Sequence, residues 1–384
     1  YLESTKKKFI YDEYNFKKFN KPFNTSDFNN LSNQEKWNSF VYSKIIKLIK
    51  SKNFELKRSY ILKKNINYKK NLNIFKSKKI VRDNLKYFFF NSYLGRKKEF
   101  LTSILLKTIP SIFSISKKKF VNKKKNKFFY INIDPKNTFE LFLQEIINYS
   151  FPTCFYENFF EILEETKNFP KKPKNVLTSI DHEFNEVFKM WLASKKSKIK
   201  LSIFQHGGGS IGMSKFSSEL MHDIKISDNY FTWGWSNQNK NVKPLFFVKR
   251  VESKQSNKNK IIFCPYFFSK YPRNFKPIET QDCNLDFLKN QEHILKYLNR
   301  NLKGSFIRLG INEDYILKYY KNLIKKKYQN LNIDTNKSFS KSLSEAKIIL
   351  TTYNSTVLLE SIYLNIPVVA IWEKNHFYHN SKSK

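Results

Sequence analysis

From residue 175 onward, short apolar runs alternate with longer stretches in which apolar residues recur at helical spacing. Short apolar runs are typical of buried strands, and the longer stretches are typical of amphipathic helices. We expect strands at 175–180 and 201–204, joined by a helix at 181–194. A strand, a helix and a second strand in this order predict a parallel sheet, with functional loops at the carboxyl ends of its strands.

A second series of the same kind begins near residue 260. Its predicted strands are 260–264, 305–309, 347–352 and 367–372, and its predicted helices are 291–301, 314–326, 339–346 and 355–364. These elements predict a second parallel sheet, so we expect an α/β protein with two Rossmann-like domains. The polar segment 250–260 is the best candidate for a linker. It places the two domains at 1–249 and 255–384.

The N-terminal region has a different pattern. Residues 1–130 are rich in Lys and Asn and favour helices over strands, and the α/β pattern is expected from about residue 130. The most apolar stretch, 100–116, predicts a buried helix broken at Pro110, with a membrane-docking helix as the alternative. The Lys-rich run 117–127 predicts an exposed linker, with a membrane-surface patch as the alternative.

The composition bounds the possible functions. The chain has 384 residues, 40% of them hydrophobic, which suits a packed protein with more than one domain. A net charge of +39 would ordinarily indicate a polyanionic partner. However, only seven of the 71 basic residues are Arg, the residue that nucleic-acid recognition favours. We therefore expect nucleotide phosphates or an anionic membrane, and not nucleic acid, as the charged partner.

The three cysteines lie far apart and form no metal or redox spacing, so we expect neither a disulfide framework nor a zinc site. No run of ~18 uninterrupted apolar residues is present. We expect a cytoplasmic protein, with the inner face of the cytoplasmic membrane as the more specific location. Because the chain starts at Tyr1 and stops soon after the last predicted strand, we expect it to be part of a longer protein.

The first candidate site directly follows the predicted strand 201–204. Gln205, His206 and three glycines stand there in sequence. Glycines let the backbone approach a ligand closely, and imidazole can take a hydroxyl proton near neutral pH. We name His206 as a candidate catalytic residue, and Gln205, Gly207 and Gly208 as candidate binding residues. A glycine-rich turn with a structural histidine is the alternative.

A second candidate segment precedes the aromatic run that ends at Trp235. An acid/base partner, or a group that holds an acceptor, could come from four residues there: Glu219, His222, Asp223 and Asp228. Of these we name Glu219 and His222 as candidate catalytic residues. The indole faces of Trp233 and Trp235 could stack on a sugar ring, although packing in the core is the favoured interpretation.

The third candidate site joins the predicted strand 347–352 to the helix 355–364. Asn354 or Ser355 can cap that helix, whose N–H groups form an anion site. Glu360 lies about a turn and a half into the helix, where its carboxylate could accept hydrogen bonds from a ribose. The turn predicts a nucleotide-binding site, with an ordinary capped turn as the alternative.

Four segments carry a resemblance to a known family. They are QHGGG at 205–209, ISDNYFTWGW at 226–235, RLG at 308–310 and TTYNSTVLLESIYLNIPVV at 351–369. They resemble transferases encoded in bacterial surface-polysaccharide and O-antigen gene clusters. Those transferases are similar in turn to capsule Kdo transferases and CDP-glycerol glycerophosphotransferases, all of GT-B type. The resemblance extends over about 175–372.

The resemblance implies a GT-B-like fold in which an N-terminal acceptor domain and a C-terminal donor domain face a cleft. It also implies an incomplete C-terminus, because GT-B proteins usually continue into further helices. By this likeness His206 lies near the transfer centre and Arg308 contacts phosphate. Ser355, Thr356 and Glu360 correspond to the nucleotide-binding turn and helix.

The implied reaction is a metal-independent transfer of a sugar from a nucleotide-activated donor to a surface polysaccharide or lipid-linked glycan. A CMP-linked sugar is among the candidate donors. We expect no cofactor, no metal site, and peripheral contact with an anionic membrane. Two alternatives stay open: transfer of a polyol phosphate from a CDP-linked donor, and a polyanion-binding protein without catalysis.

Overall fold

The computed structural model describes most of the chain. The described ranges are 8–16, 21–49, 54–62, 71–77, 85–108, 110, 113–119, 132–195, 198–207, 218–249, 258–266, 281–309 and 315–372. The chain divides into two compact units. The first unit comprises Tyr1–Leu85, Ser111–Pro173 and Asp181–Ile199, and the second comprises Lys86–Pro110, Lys174–Ile180 and Lys200–Lys384.

Strands and helices alternate through much of the described chain. The strands are β1 Phe9–Phe16, β2 Phe54–Leu62, β3 Asn71–Ser77, β4 Tyr87–Phe89, β5 Phe113–Lys119, β6 Asn175–Thr178, β7 Lys200–Phe204, β8 Asn229–Trp233, β9 Val242–Leu245, β10 Lys260–Cys264, β11 Phe306–Ile307, β12 Asn332–Ile333, β13 Ala346–Thr351 and β14 Val368–Ala370. The helices are α1 Thr25–Ser32, α2 Glu35–Ile49, α3 Arg96–Leu105, α4 Thr138–Ser150, α5 Phe159–Thr166, α6 Asp181–Phe184, α7 Glu186–Lys195, α8 Ser218–Ile226, α9 Gln281–Asn301, α10 Tyr315–Lys327, α11 Phe339–Glu345 and α12 Thr356–Tyr363.

Two small sheets and several helices make up the first unit. Strand β1 pairs with β2 in parallel, and β3 pairs with β5 in antiparallel orientation. A buried cluster of Leu31, Trp37 and Phe40 packs against Ile146 and Tyr149 of α4. This cluster joins helices that are about a hundred residues apart in sequence, so the unit depends on long-range packing.

The expectation of a helical region over residues 1–130 was incomplete. The described part of that region carries five strands, β1 to β5, beside the three helices α1 to α3. The strands contain aromatic and β-branched residues beside polar ones, as in FIYDEYNF of β1, and such residues favour extended backbone. The many Lys and Asn residues obscure this preference for strands in the sequence, because both residue types are common on the surfaces of helices, strands and loops alike.

Helix 181–194, predicted as continuous, is interrupted at Asn185 between α6 and α7. The Asn185 side chain accepts a hydrogen bond from the Phe188 N–H at 3.1 Å and donates one to Asp181 Oδ1 at 2.9 Å. An Asn that bonds to the N–H three residues ahead caps a new helix. The interruption is therefore a cap.

The second unit contains a five-stranded sheet in the order β4-β6-β7-β8-β9, and all its neighbouring strands are parallel. One buried cluster lies against it, formed by residues from the strands and their following loops: Phe89, Leu94, Leu177, Phe204 and Val248. The parallel sheet predicted for the region after residue 175 is confirmed.

A second parallel sheet has the order β12-β11-β10-β13-β14. Its central strand β10 is buried on both sides: Phe263 belongs to one core cluster, while Ile262 and Cys264 belong to another. Burial on both faces explains why this strand is a continuous apolar run. The second Rossmann-like sheet is therefore confirmed, while the domain boundary near 250–255 stays a prediction because residues 250–257 lie outside the described part.

The apolar stretch 100–116 differs from its favoured interpretation. Helix α3 ends at Leu105, five residues before Pro110, and most of its large apolar side chains are exposed. The prediction of a buried helix was wrong, because the polar side of α3 faces the protein.

The Lys-rich run 117–127 is not an exposed linker at its start. Its residues 117–119 pair with β3 as the end of β5, and residues 120–127 lie outside the described part. None of the described helices is long and apolar enough to cross a membrane.

Two of the three cysteines, Cys154 and Cys264, are buried free thiols. Burial raises the pKa of both, that of Cys264 to about 12.

The central position of β10 gives a test of the fold. We expect Phe263→Ala to lower the free energy of unfolding by about 3–5 kcal/mol, because a fully buried ring would leave a cavity. Phe246→Ala is the matched control, since Phe246 is 63% exposed, and it should cost no more than about 0.5 kcal/mol. Urea denaturation measures both values. Equal losses would contradict the placement of β10 at the centre.

Candidate functional site

Gln205 organises the loop at the carboxyl end of β7. Its side chain is buried, and its Oε1 accepts hydrogen bonds from the Trp233 N–H at 2.8 Å and the Trp235 indole N–H at 2.9 Å. Its Nε2 donates to the Gly207 carbonyl at 2.7 Å. These bonds tie the end of β7 to the end of β8 and fix the turn that carries His206.

His206 lies directly on this turn and is half-buried. Its Nδ1 is 3.8 Å from Oδ2 of Asp223, a carboxylate that is fully buried in α8. The Asp223 backbone carbonyl in turn accepts hydrogen bonds from the N–H and hydroxyl of Ser227. A carboxylate beside one ring nitrogen favours the proton on that nitrogen, so the other nitrogen can accept a proton.

The distance between His206 and Asp223 exceeds that of a hydrogen bond. Catalytic hydrogen bonds are often long before substrate binds and shorten in the complex. The two residues therefore form a candidate acid/base pair.

The other residues predicted around this loop are placed less favourably. His222 is exposed on α8, next to the buried Asp223. Glu219 lies in the first turn of α8, but its side chain is outside the described part, as is the whole of Gly208. Gly207 is half-buried and accepts the bond from Gln205. Their functional roles stay predictions.

Asp223 belongs to the segment predicted to supply an acid/base partner, although Glu219 and His222 were the residues named there as catalytic candidates. It occupies the helical position three residues after Leu220 and four before Ser227, on the face that carries apolar or small residues. A carboxylate at a position expected to be buried is a signal of function that could have favoured Asp223 over Glu219.

The turn between β13 and α12 has the predicted cap. Ser355 has extended backbone angles, and its side chain accepts a hydrogen bond from the Val357 N–H at 3.2 Å. Of the two candidate capping residues, the structure selects Ser355. Thr356 is the first residue of the helix and is half-buried.

Asn354 precedes the cap and is only 8% exposed. Its buried Oδ1 has no hydrogen-bond partner among the described residues. Buried amide oxygens are nearly always bonded, and a bound molecule can supply the missing donor. Burial raises the pKa of the neighbouring Tyr353 to about 12, and its ring packs against that of Tyr266 with the centroids 5.1 Å apart. The turn therefore combines a helix start with an acceptor that a ligand could satisfy.

Glu360 is buried in α12 and forms an ion pair with Lys249. Close by, the rings of Tyr363 and Phe247 stack with their centroids 4.8 Å apart. These contacts join α12 to the segment that follows β9. The carboxylate predicted to bind a ribose is thus engaged with a lysine that sequence reasoning missed.

Arg308 is largely buried, and its Nη1 donates hydrogen bonds to three groups. They are Asp334 Oδ2 at 2.8 Å, Ser342 Oγ at 2.7 Å and the Asn336 carbonyl at 3.2 Å. The guanidinium therefore ties β11 to the loop after β12 and to α11. Its predicted contact with phosphate stays a prediction.

The sequence of the chain matches that of a known protein family. The sequence profile of the LIC12162 family transferases matches residues 6–384 of the chain. The chain belongs to the LIC12162 family of transferases. The transferase class expected from the motifs is confirmed. No curated protein sequence matches the chain significantly.

Among solved structures, this transferase resembles the crystal structure of MurG from Acinetobacter baumannii. The two share 12% sequence identity, the match covers 56% of this chain and 60% of MurG, and the TM-score is 0.31. The chain thus matches less than two thirds of MurG. A TM-score of this size does not establish a shared fold. The Rossmann-like fold of this LIC12162 family member is therefore assigned from the two parallel sheets of the chain itself.

Within this transferase, the candidate residues fall into three groups. Gln205, Gly207 and His206 lie together with Asp223 at the end of β7. The residues from Asn354 to Thr356 form the turn before α12. Arg308 and Glu360 each have a charged protein partner. The first group can move a proton, and the second can hold an anion.

The Arg308 network has a pH dependence that can be measured. Burial alone would raise the pKa of Asp334, but hydrogen bonds from Ser342, Arg308 and the Asn336 N–H outweigh it and hold the pKa below its usual value. A carboxyl group with a lowered pKa stabilises the folded state above its unfolded pKa, about 3.9. This contribution is lost as the pH falls through the lower folded-state value.

We therefore expect Asp334→Asn to be less stable than the parent at pH 7, by about 1–3 kcal/mol for the lost charged hydrogen bonds. The difference should shrink as the pH falls below about 4. Urea denaturation between these pH values measures it, with the exposed Asp134→Asn as the control. A difference that stays constant with pH would show that the charge of Asp334 is not what stabilises the network.

Proposed function

We propose that this member of the LIC12162 family is a glycosyltransferase of GT-B type. It would move a sugar from a nucleotide-activated donor to a surface polysaccharide or lipid-linked glycan. Membership of a transferase family supports group transfer, and the two parallel sheets are compatible with acceptor and donor domains at 1–249 and 255–384. The observation that carries the proposal is the turn between β13 and α12.

The turn offers what a nucleotide requires. The N-terminus of α12 supplies main-chain N–H groups and the positive end of the helix dipole, which attract phosphate. Beside it, the buried Asn354 Oδ1 can accept a hydrogen bond from a hydroxyl or N–H group of the ligand. A ligand with both an anionic group and hydrogen-bond donors fits this turn, and a nucleotide has both.

The pair at the end of β7 supplies the acid/base chemistry. In the proposed reaction, His206 takes the proton of the acceptor hydroxyl while Asp223 orients the ring and stabilises its charge. The hydroxyl oxygen forms a bond to the anomeric carbon of the sugar, and the bond from that carbon to the phosphate oxygen breaks. The nucleotide leaves with the electron pair.

The negative charge of the leaving nucleotide would be stabilised by the start of α12 instead of a metal ion. We therefore propose a metal-independent reaction without a cofactor. Arg308 remains a candidate for a phosphate contact and Glu360 for a ribose contact. Each would then have to bind the ligand in addition to its present partner, which is Asp334 for Arg308 and Lys249 for Glu360.

The donor site can be tested by binding. CMP, CDP, UDP, GDP and their sugars are screened for thermal stabilisation, since a ligand of the native state raises stability with concentration. We expect Asn354→Ala to weaken binding of the stabilising nucleotide by about fivefold to tenfold, because one hydrogen bond is lost. Asn301→Ala, at an exposed position of α9, is the control. Unchanged affinity in Asn354→Ala would place the nucleotide elsewhere.

The acid/base assignment can be tested by turnover. We expect His206→Ala to lower kcat by about 10²-fold or more, the usual scale for such groups. Asp223→Asn should also lower kcat, because the ring would lose the carboxylate that orients it. The exposed His293→Ala is the control. Full activity per folded molecule in His206→Ala would make His206 structural and direct attention to His222 or Glu219.

The same assays distinguish the alternatives. Turnover of CDP-linked polyols, with no turnover of nucleotide sugars, would identify a polyol phosphotransferase. Binding to polyanions that weakens steeply with salt, without any turnover, would replace the enzymatic proposal. Activity that is lost with EDTA and restored by Mg²⁺ would contradict the metal-independent reaction.

A further inference from the structure

Helix α3 has its polar side turned toward the protein. Oε1 of Glu99 accepts hydrogen bonds from the Ser92 hydroxyl at 2.6 Å and the Ser92 N–H at 3.2 Å. Ser103 is buried, and its hydroxyl donates to the Glu99 carbonyl at 2.7 Å. Both ends of α3 are also held by apolar packing, through Leu94 before it and Leu106 after it. The rotation of the helix about its axis is therefore fixed.

The opposite side of α3 is apolar and faces solvent. Phe100 is 46% exposed, Leu101 58%, Ile104 52% and Leu105 81%. Positions one, four and five residues apart lie along one stripe of a helix. This pattern is the reverse of a surface helix in a globular protein, which buries its apolar stripe. A contiguous apolar stripe in water marks an interaction surface.

Positive charge accompanies the apolar stripe. Arg96, Lys97 and Lys98 are exposed in the first turn of α3, and Lys107 is exposed just after its end. Glu99 is the only acidic residue between positions 85 and 110, and it is bonded to Ser92. The exposed side of α3 thus combines apolar side chains with cations and carries no anion.

We propose that α3 is a docking helix that places this protein on an anionic lipid surface. The four apolar side chains would enter the boundary between headgroups and acyl chains, and the basic first turn would contact lipid phosphates. A second copy of the chain fits less well, because pairing two α3 helices would bring like-charged turns together. The inference goes beyond the proposed reaction, since docking requires neither donor nor acceptor.

Vesicle sedimentation tests the docking helix. We expect the protein to bind vesicles of phosphatidylcholine with added phosphatidylglycerol, and to bind vesicles of phosphatidylcholine alone much less. The double variant Leu101→Gln/Leu105→Gln should bind at least about tenfold more weakly, because its apolar contribution is lost. Lys97→Glu/Lys98→Glu should also weaken binding, and added salt should weaken the parent.

Two control variants separate α3 from general surface effects. Phe160→Gln removes an apolar side chain that is 76% exposed on α5. Lys325→Glu/Lys326→Glu makes the same change in charge on exposed positions of α10. Both controls should bind vesicles as the parent does. Circular dichroism and thermal midpoints verify that all variants are folded.

Several outcomes would overturn the proposal. One is that the α3 variants bind anionic vesicles as tightly as the parent. Another is that the control variants lose as much binding as the α3 variants. A third is that light scattering shows Leu101→Gln/Leu105→Gln dissociating a dimer while vesicle binding is unchanged, which would make α3 a contact between copies. Because the assay contains no nucleotide, its result is independent of the glycosyltransferase proposal.

Discussion

Parallel pairing of buried strands is the constraint on which the rest of the structure depends. Strands β10 and β13 pair in parallel, as do β7 and β8, so within each sheet the loops that follow these strands lie at the same edge. Their main-chain groups need hydrogen-bond partners as the ladder ends. Gln205 supplies partners for Trp233 at one edge, and Thr352 accepts a bond from the Tyr266 N–H at the other. The candidate chemistry lies where this pairing ends.

Sequence alone predicted the elements that local pattern determines. The strand at 260–264 and the cap at Ser355 were predicted because an apolar run and a serine before a helix are local signals. Strands β1 and β2 were not predicted, since their pairing joins segments about forty residues apart. The pairing of Lys249 with Glu360, across 111 positions, has no local signal either.

The candidate site shows the same division. The histidine after β7 could be predicted from its strand end, whereas its proximity to Asp223 depends on how α8 is rotated toward the sheet. For α3, the sequence indicates an apolar stripe, and burial is the usual expectation for such a stripe. The bonds between Ser92 and Glu99, together with the packing of Leu94 and Leu106, determine that the stripe faces outward. Periodicity identifies the apolar face of a helix, and the contacts of its polar residues decide which way that face points.

The ion pair of Lys249 and Glu360 bears on how this family can diverge. The pair joins α12 directly to the residue before the polar segment 250–260. The entropy of closing a connecting loop grows only slowly with its length, so a polar linker of this kind can tolerate changes in length. Insertions and deletions should accumulate there more readily than in the turns before α8 or α12. The length of this connection is therefore a poor guide to kinship between members, and the pair of Lys249 and Glu360 is a better one.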